Sequence, residues 1–168
     1  LTLDQKGIKQ NRKTYTFKLL KYLEGKFLYE EAMSSHDYTN MGFFMGRLST
    51  ALIGFNHKAA YRLFEWDCRR IDIIKTNLNF IKNQTEKDTI LFFLNQYTEN
   101  VVPFLHKLRM SVIHNDGNDH NILINHKHKT FGIIDFGDMI HSFHIIEPAV
   151  AIAYIYLDNR NPFENVYS

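Results

Sequence analysis

Two polar runs stand where short apolar stretches end, and their side chains suit one kind of chemistry. The first is His114-Asn115-Asp116-Gly117-Asn118-Asp119-His120-Asn121, and the second is Ile134-Asp135-Phe136-Gly137-Asp138. Moving a phosphoryl group onto a hydroxyl needs a carboxylate that orients the attacking hydroxyl and takes its proton. It also needs oxygen ligands that hold Mg2+ against the donor's phosphates. Asp116, Asn121 and Asp135 supply that set. An acid at the start of a short loop and an amide near its end can face one cleft from opposite sides of the turn, and an acid after the next hairpin then faces both.

Asp, Asn and Gly are common at strand ends for purely local reasons, so each residue alone says little. Their order says more, because H-x-D-x-x-x-x-N followed by D-F-G is a kinase-type arrangement of base and metal ligands. The chain's nine histidines also raise a zinc reading, but zinc asks for three or four converging ligands. His126 and His128 sit in a Lys-rich turn between two strands and are expected in solvent. His120 is expected to brace the loop or touch substrate. Asp138 is read as structural, with metal or substrate contact as alternatives. His57 and Trp66 are read as packing and loop-anchoring residues. Glu147, before Pro148, is read as favouring a helix dipole, with an ion pair to a distant Arg as its rival.

The elements that must hold these residues follow from periodicity. Thr14 to Tyr22 is rich in β-branched and aromatic side chains and reads as a strand, broken at Leu23-Glu24-Gly25. From Asp37, Met41, Phe44, Met45, Leu48 and Leu52 recur at helical spacing up to Gly54. Gly42, Gly46 and Ala51 within that helix would allow close approach of a neighbour. A short helix is expected near Asp67 to Ile74. Residues 86–109 read as the longest helix, with Thr85 as its N-cap and Pro103 as a kink or division. Three short strands follow, at 111–113, 121–124 and 130–134, and a buried apolar helix at about 145–157.

Bulk properties exclude several classes. A hydrophobic fraction of 45% with 14% aromatic residues rules out a disordered chain. Twenty Lys and Arg against 18 Asp and Glu leave a formal charge of +2, too little to steer nucleic acid or an anionic membrane. Cys68 is the single cysteine, which removes an internal disulfide framework and fits a reducing, cytoplasmic setting. No apolar run reaches the length of a transmembrane helix. The chain opens on Leu1 in what reads as mid-strand, so a fragment cut at both ends is expected.

His114-Asn115-Asp116, Asn118-Asp119-His120-Asn121-Ile122-Leu123 and Ile134-Asp135-Phe136-Gly137-Asp138-Met139 resemble the aminoglycoside phosphotransferase superfamily, whose segment has the form H-G-D-x-x-x-x-N followed by I-D-F/W. The narrower likeness is to hydroxylysine kinase and the phosphotransferase domains fused to class III aminotransferases. Gly46-Arg47-Leu48, Phe55-Asn56-His57 and Trp66-Asp67 are similar to that group too. The resemblance spans nearly the whole chain.

It implies an α/β (α+β) protein-kinase-like fold, with residues 1–25 as the end of an N-lobe sheet and hinge and residues 26–168 as a mainly helical C-terminal catalytic lobe. It implies Asp116 as catalytic base, Asn121 and Asp135 as Mg2+ ligands, and His114 as a structural brace. Tyr22 and Leu23 would receive the nucleotide base. The implied reaction moves the γ-phosphoryl group of GTP or ATP to a small hydroxylated amine or amino acid, with 5-hydroxylysine foremost. Aminoglycoside, choline and homoserine-like acceptors are alternatives, and a pseudokinase acting as a binding module is the rival function. The sequence departs from the pattern at Asn115, where Gly is common, and at Gly117, where a bulky apolar residue is common. It has no glycine-rich loop, strand Lys or partner Glu of the kind such an N-lobe carries.

Overall fold

The computed structural model of the chain describes residues 2–158. It begins with an antiparallel hairpin, β1 (Thr2–Gln10) and β2 (Lys13–Leu20), in the register Gln10 to Lys13 and Gly7 to Thr16. Asn11 and Arg12 turn it with φ of 51° and 63°, the left-handed pair that matches the twist of a two-residue hairpin. The strand expected at 14–22 ends at Leu20, and Tyr22 lies beyond it. Phe17, Leu19 and Leu20 remain exposed.

Two small sheets carry the polar runs. In one, β3 (Lys26–Phe27), β5 (Ile122–Asn125) and β6 (Thr130–Ile133) pair antiparallel in the order β3-β5-β6. Gly25 admits this pairing, since a Cβ there would stand 2.9 Å from the carbonyl oxygen of Ile124. In the other, β4 (Met110–Ile113) pairs with β7 (Ile140–Phe143). The sequence reading missed β7, because His141 and Ser142 interrupt its apolar pattern. Ile122 and Ile140 are fully buried, and Val112 and Ile113 are 1% exposed. Each such side chain contributes roughly 1.5–3 kcal/mol by leaving water.

The helices follow the expected stripes with shifted ends. Helix α1 (Ser35–Ala51) starts before Asp37 because Ser34 caps it: the Asp37 backbone N–H donates to Ser34 Oγ, and Ser34 N–H donates to Asp37 Oδ2. Met41 and Met45 are buried with Leu28, Ile122, Ile133 and Ala151 in one cluster. Gly42 and Gly46 do not mediate a close approach, since a Cβ on either meets nothing within 4 Å. Helix α2 (Ile71–Asn77) begins later than expected. The Asp67 carboxylate instead accepts from Arg69 Nε and Nη2, and Oδ1 also from Ser142 Oγ.

Helix α3 (Gln84–Asn100) is capped by Asn83, whose Oδ1 accepts from Thr85 and Glu86, so Thr85 is not the cap. Pro103 divides the expected long helix: Val102–Lys107 is a 3-10 turn with Pro103 in its first turn. What remains is no longer than α1, since both have 17 residues. Helix α4 (Ile146–Asp158) buries Ile146, Glu147 and Ala151 but leaves Ile152 and Leu157 exposed. Only that one face is covered. A groove of about 780 Å3 runs beside α1 and α4, lined by Met41, Met45, Leu108, Pro148 and Ile152 among others. Among the described residues, no helix is long and apolar enough to cross a membrane.

Candidate active site

Residues 114–121 join β4 to β5, and residues 134–139 join β6 to β7, so both polar runs cross from one sheet to the other. They are tied side by side: the Ile134 backbone N–H donates to the Asn121 carbonyl at 3.0 Å, and His114 Nε2 lies 2.9 Å from the Ile134 carbonyl. The His114 ring is buried and neutral in this arrangement, donating from Nε2 while Nδ1 accepts from the Asp116 backbone N–H at 3.3 Å. Burial pushes its pKa below the ordinary value, against the pull of the Ile134 carbonyl and of Asp116, Asp135 and Asp138. The Phe136 ring meets it edge-on at 4.7 Å. The His114 ring thus contacts both loops.

Asp116 is half-buried, and its two oxygens face two amides. Asn118 Nδ2 donates to Oδ1 at 2.7 Å, and Asn121 Nδ2 donates to Oδ2 at 2.6 Å and to the Asp116 carbonyl at 2.9 Å. Such donors suit an acceptor-only carboxylate, and each oxygen keeps a lone pair for a third partner. Because Asn121 spends its NH2 on Asp116, its Oδ1 is left to accept or ligate. Asp135 adopts the left-handed region, φ 58° and ψ 72°, and its Oδ1 accepts from the Gly137 backbone N–H at 3.1 Å. It caps the short turn Phe136–Asp138, and its exposed carboxylate keeps Oδ2 open.

These donors fit Mg2+. It takes oxygen ligands, and usually one or two carboxylates with the remainder from water and substrate phosphates. Among the described residues, no three His, Cys, Asp or Glu side chains converge on a metal position. The His126 ring is exposed and pairs with Glu31 at 2.7 Å. His120 is exposed as well, stacked on Tyr29 at 4.3 Å and 3.0 Å from Asp119 Oδ1. Asp138 is half-buried, and among the described residues its side chain makes no hydrogen bond.

Both departures from the family pattern have a local explanation. Asn115 stands at φ 69°, a left-handed geometry that Asn tolerates better than most residues. Gly117 is buried, and a Cβ there would come within 3.0 Å of Met45 Cε and 3.6 Å of Glu147 Oε1. Met45 and Glu147 occupy the space a larger side chain would take, so Gly117 is a packing residue and not a loose joint.

Several participants were invisible in the sequence. Glu147 is fully buried, and its Oε2 accepts from the His114 backbone N–H at 2.5 Å, fastening the loop to α4. Burial raises its pKa, offset in part by the backbone N–H groups of His114 and Asn115. Among the described residues, no Arg pairs with it. Arg62 Nη2 donates to the Gly137 carbonyl at 2.7 Å, and Tyr61 stacks on His141 at 4.6 Å. His57 anchors its loop by accepting from the Ala59 backbone N–H at 3.2 Å. Trp66 is not a packing residue, since it is 74% exposed. Tyr22 is 80% exposed and Leu23 38%. Leu23 Cδ1 lies over β6, 3.3 Å from where a Gly132 Cβ would stand. Asn125 Nδ2 donates to the Glu24 carbonyl at 3.2 Å.

Comparison with known proteins bears on the whole chain. It is similar to "Hydroxylysine kinase" of Mus musculus, 26% identical over 164 residues that cover 90% of this chain and 44% of that protein. The Bos taurus protein of the same name is 25% identical over 164 residues, with the same coverage. The Danio rerio protein is 27% identical over 158 residues, covering 89% of this chain and 44% of the relative. The chain therefore spans less than half the length of these curated relatives. The profile of the phosphotransferase enzyme family matches residues 4–167. With its mixed helices and small sheets, a kinase-like α+β fold, the chain belongs to the phosphotransferase enzyme family.

Proposed function

We propose that this chain forms the end of the N-lobe and hinge, residues 1–25, and the catalytic lobe, from residue 26 onward, of a small-molecule kinase. Its reaction moves the γ-phosphoryl group of GTP or ATP to a hydroxyl of an amine-bearing acceptor. The names of the relatives support 5-hydroxylysine as that acceptor. The observation that carries the reading is the pairing of Asp116 Oδ2 with Asn121 Nδ2 at 2.6 Å, next to the Asp135 turn. A lone Cys68 fits a reducing, cytoplasmic compartment.

In this reading Asp116 orients the acceptor hydroxyl and takes its proton, a role worth about 10²–10⁴ in rate. The two amides on its oxygens fix the carboxylate's plane before the acceptor arrives, so little reorganisation is left for the reaction itself. Asn121 and Asp135 would hold Mg2+, which would neutralise charge on the transferring phosphoryl group. Tyr22 and Leu23, in the segment between β2 and β3, receive the nucleotide base.

The test is phosphoryl transfer by the full-length protein with Mg2+, GTP or ATP, and a panel of hydroxylated amino acids, amino alcohols and aminoglycosides. Turnover of hydroxylysine that vanishes in Asp135→Ala is the expected result. No turnover with any acceptor, together with no nucleotide binding, would replace this reading with a non-catalytic binding module.

A further inference from the structure

Residues 55–70 form a loop with one short 3-10 turn, Lys58–Ala60, and the loop lies against the segment that follows Asp135. Four contacts hold it there. Phe64 packs on the buried cluster of Ile113, Ile140 and Ile146. Ser142 Oγ donates to Asp67 Oδ1 at 3.2 Å, Tyr61 stacks on His141 at 4.6 Å, and Arg62 Nη2 donates to the Gly137 carbonyl at 2.7 Å.

We propose that Arg62 is a positioning residue for the metal-binding turn, acting through Gly137 on Asp135. This rests on the reading of Asp135 as an Mg2+ ligand. The path is short, because the residue whose carbonyl Arg62 holds also donates its N–H to Asp135 Oδ1, at 3.1 Å. Such support matters at Asp135: its φ of 58° lies in the left-handed region, which Asp visits more readily than most residues but still at a cost that surrounding contacts offset. On one side the turn leans on His114 through Phe136. On the other, among the described residues, Arg62 makes the one hydrogen bond that reaches residues 135–139 from outside the turn.

The guanidinium is itself oriented. Its Cζ lies 4.5 Å from the centroid of the Phe64 ring, and Phe64 is fixed by the core. A planar donor stacked on an aromatic face has few other orientations to adopt, which an ammonium on a flexible stem does not reproduce.

The experiment is Mn2+ binding to the full-length protein with a non-hydrolysable GTP analogue, read from the paramagnetic resonance of free Mn2+, alongside melting temperature and metal-free nucleotide affinity. Arg62→Ala is expected to weaken Mn2+ binding about three- to tenfold, the loss of one charge-assisted hydrogen bond at an exposed position. Metal-free nucleotide affinity should not change, and Arg62→Lys should recover part of the loss. Wild-type Mn2+ affinity in Arg62→Ala, with weakened affinity in Asp135→Asn, overturns the proposal and leaves Asp135 as a ligand. Wild-type affinity in Asp135→Asn removes the ligand reading and the proposal with it. A loss in Arg62→Ala that Lys does not relieve, matched by equal losses in melting temperature and nucleotide affinity, marks a folding role only and overturns the proposal.

Discussion

Glu147 Oε2 accepts a hydrogen bond from the backbone nitrogen of His114 at 2.5 Å, across 33 positions of sequence, and the Glu147 side chain has no exposure to solvent. The first residue of the polar loop is thereby fastened to the first turn of α4. Removing the carboxyl leaves a buried N–H without an acceptor. Glu147→Ala is expected to cost roughly 2–3 kcal/mol of stability, from that orphaned donor and the cavity left behind. Glu147→Gln keeps a carbonyl oxygen and should cost less. Urea denaturation of the three proteins gives the ranking, and equal losses in both variants would show that the hydrogen bond is not the stabilising element.

The same pair predicts a pH dependence with opposing parts. Burial holds His114 below its ordinary value of 6.5, so the folded state binds fewer protons there than the unfolded chain. Its contribution is present above 6.5 and is lost as pH falls toward the folded value. Burial holds Glu147 above its ordinary value of 4.5, so its contribution is full below that value and fades as pH rises through the folded one. Between the two ordinary values, 4.5 and 6.5, the two slopes oppose each other. Melting temperature should therefore fall more steeply with acid in Glu147→Gln than in the wild type, and less steeply in His114→Gln. Parallel curves for all three would refute the assignment.

Asp116 has both oxygens engaged by Asn118 and Asn121 at 2.7 and 2.6 Å. Asp116→Asn places an NH2 where one of those amides now donates, and it removes the carboxylate proposed as proton acceptor. Turnover is expected to drop by about 10²–10⁴ while nucleotide affinity stays within a factor of about three. Steady-state kinetics with a separate nucleotide titration checks both parts, and unchanged turnover would exclude Asp116 as the base.

Gly117 separates space from flexibility. The nearest neighbour of a Cβ at this position is the far end of a flexible side chain, Met45 Cε, at 3.0 Å, and that end can shift by a few tenths of an ångström. Gly117→Ala should be within about 1 kcal/mol of the wild type, because reduced freedom in the unfolded chain offsets the crowding. Gly117→Leu should cost about 1–3 kcal/mol through overpacking. Adding Met45→Ala should return part of that loss, a coupling that a double-mutant cycle measures directly. Strict additivity would mean that Met45 is not what excludes a larger residue.

What the sequence made legible was the family, carried by contiguous motifs, and the two polar runs that the proposed chemistry needs. Asp116, Asn121 and Asp135 share two short runs, and the structure joins those runs through the Ile134 N–H bond to Asn121. Helix stripes were equally readable, since Met41 and Met45 recur at the period of α1 and are buried. Long-range partners were not. Glu147 and Arg62 meet the loops across 33 and 75 positions, and nothing local distinguishes a fastening carboxylate from one that favours a helix dipole. Helix ends failed for a related reason: Asn83 and Ser34 cap their helices through side-chain hydrogen bonds to the first turn, which periodicity does not register. Trp66 illustrates the reverse error, an aromatic read as packing that faces solvent.

The strand pairing nests like parentheses: β5 with β6 inside, β4 with β7 outside, and the two polar runs between the inner and outer pairs. The inner pair closes over a short turn, whereas the outer pair must bring together ends separated by everything within it, including both loops. Loop-closure entropy grows with the enclosed length, so the inner hairpin is expected to zip first and the outer pair to follow. A chain with only the inner hairpin formed would hold Asn121 at its edge but would have neither Asp116 nor Asp135 anchored on both sides. The arrangement of both polar runs should thus form in one late step, with closure of the outer strands, and be the first feature lost when they part.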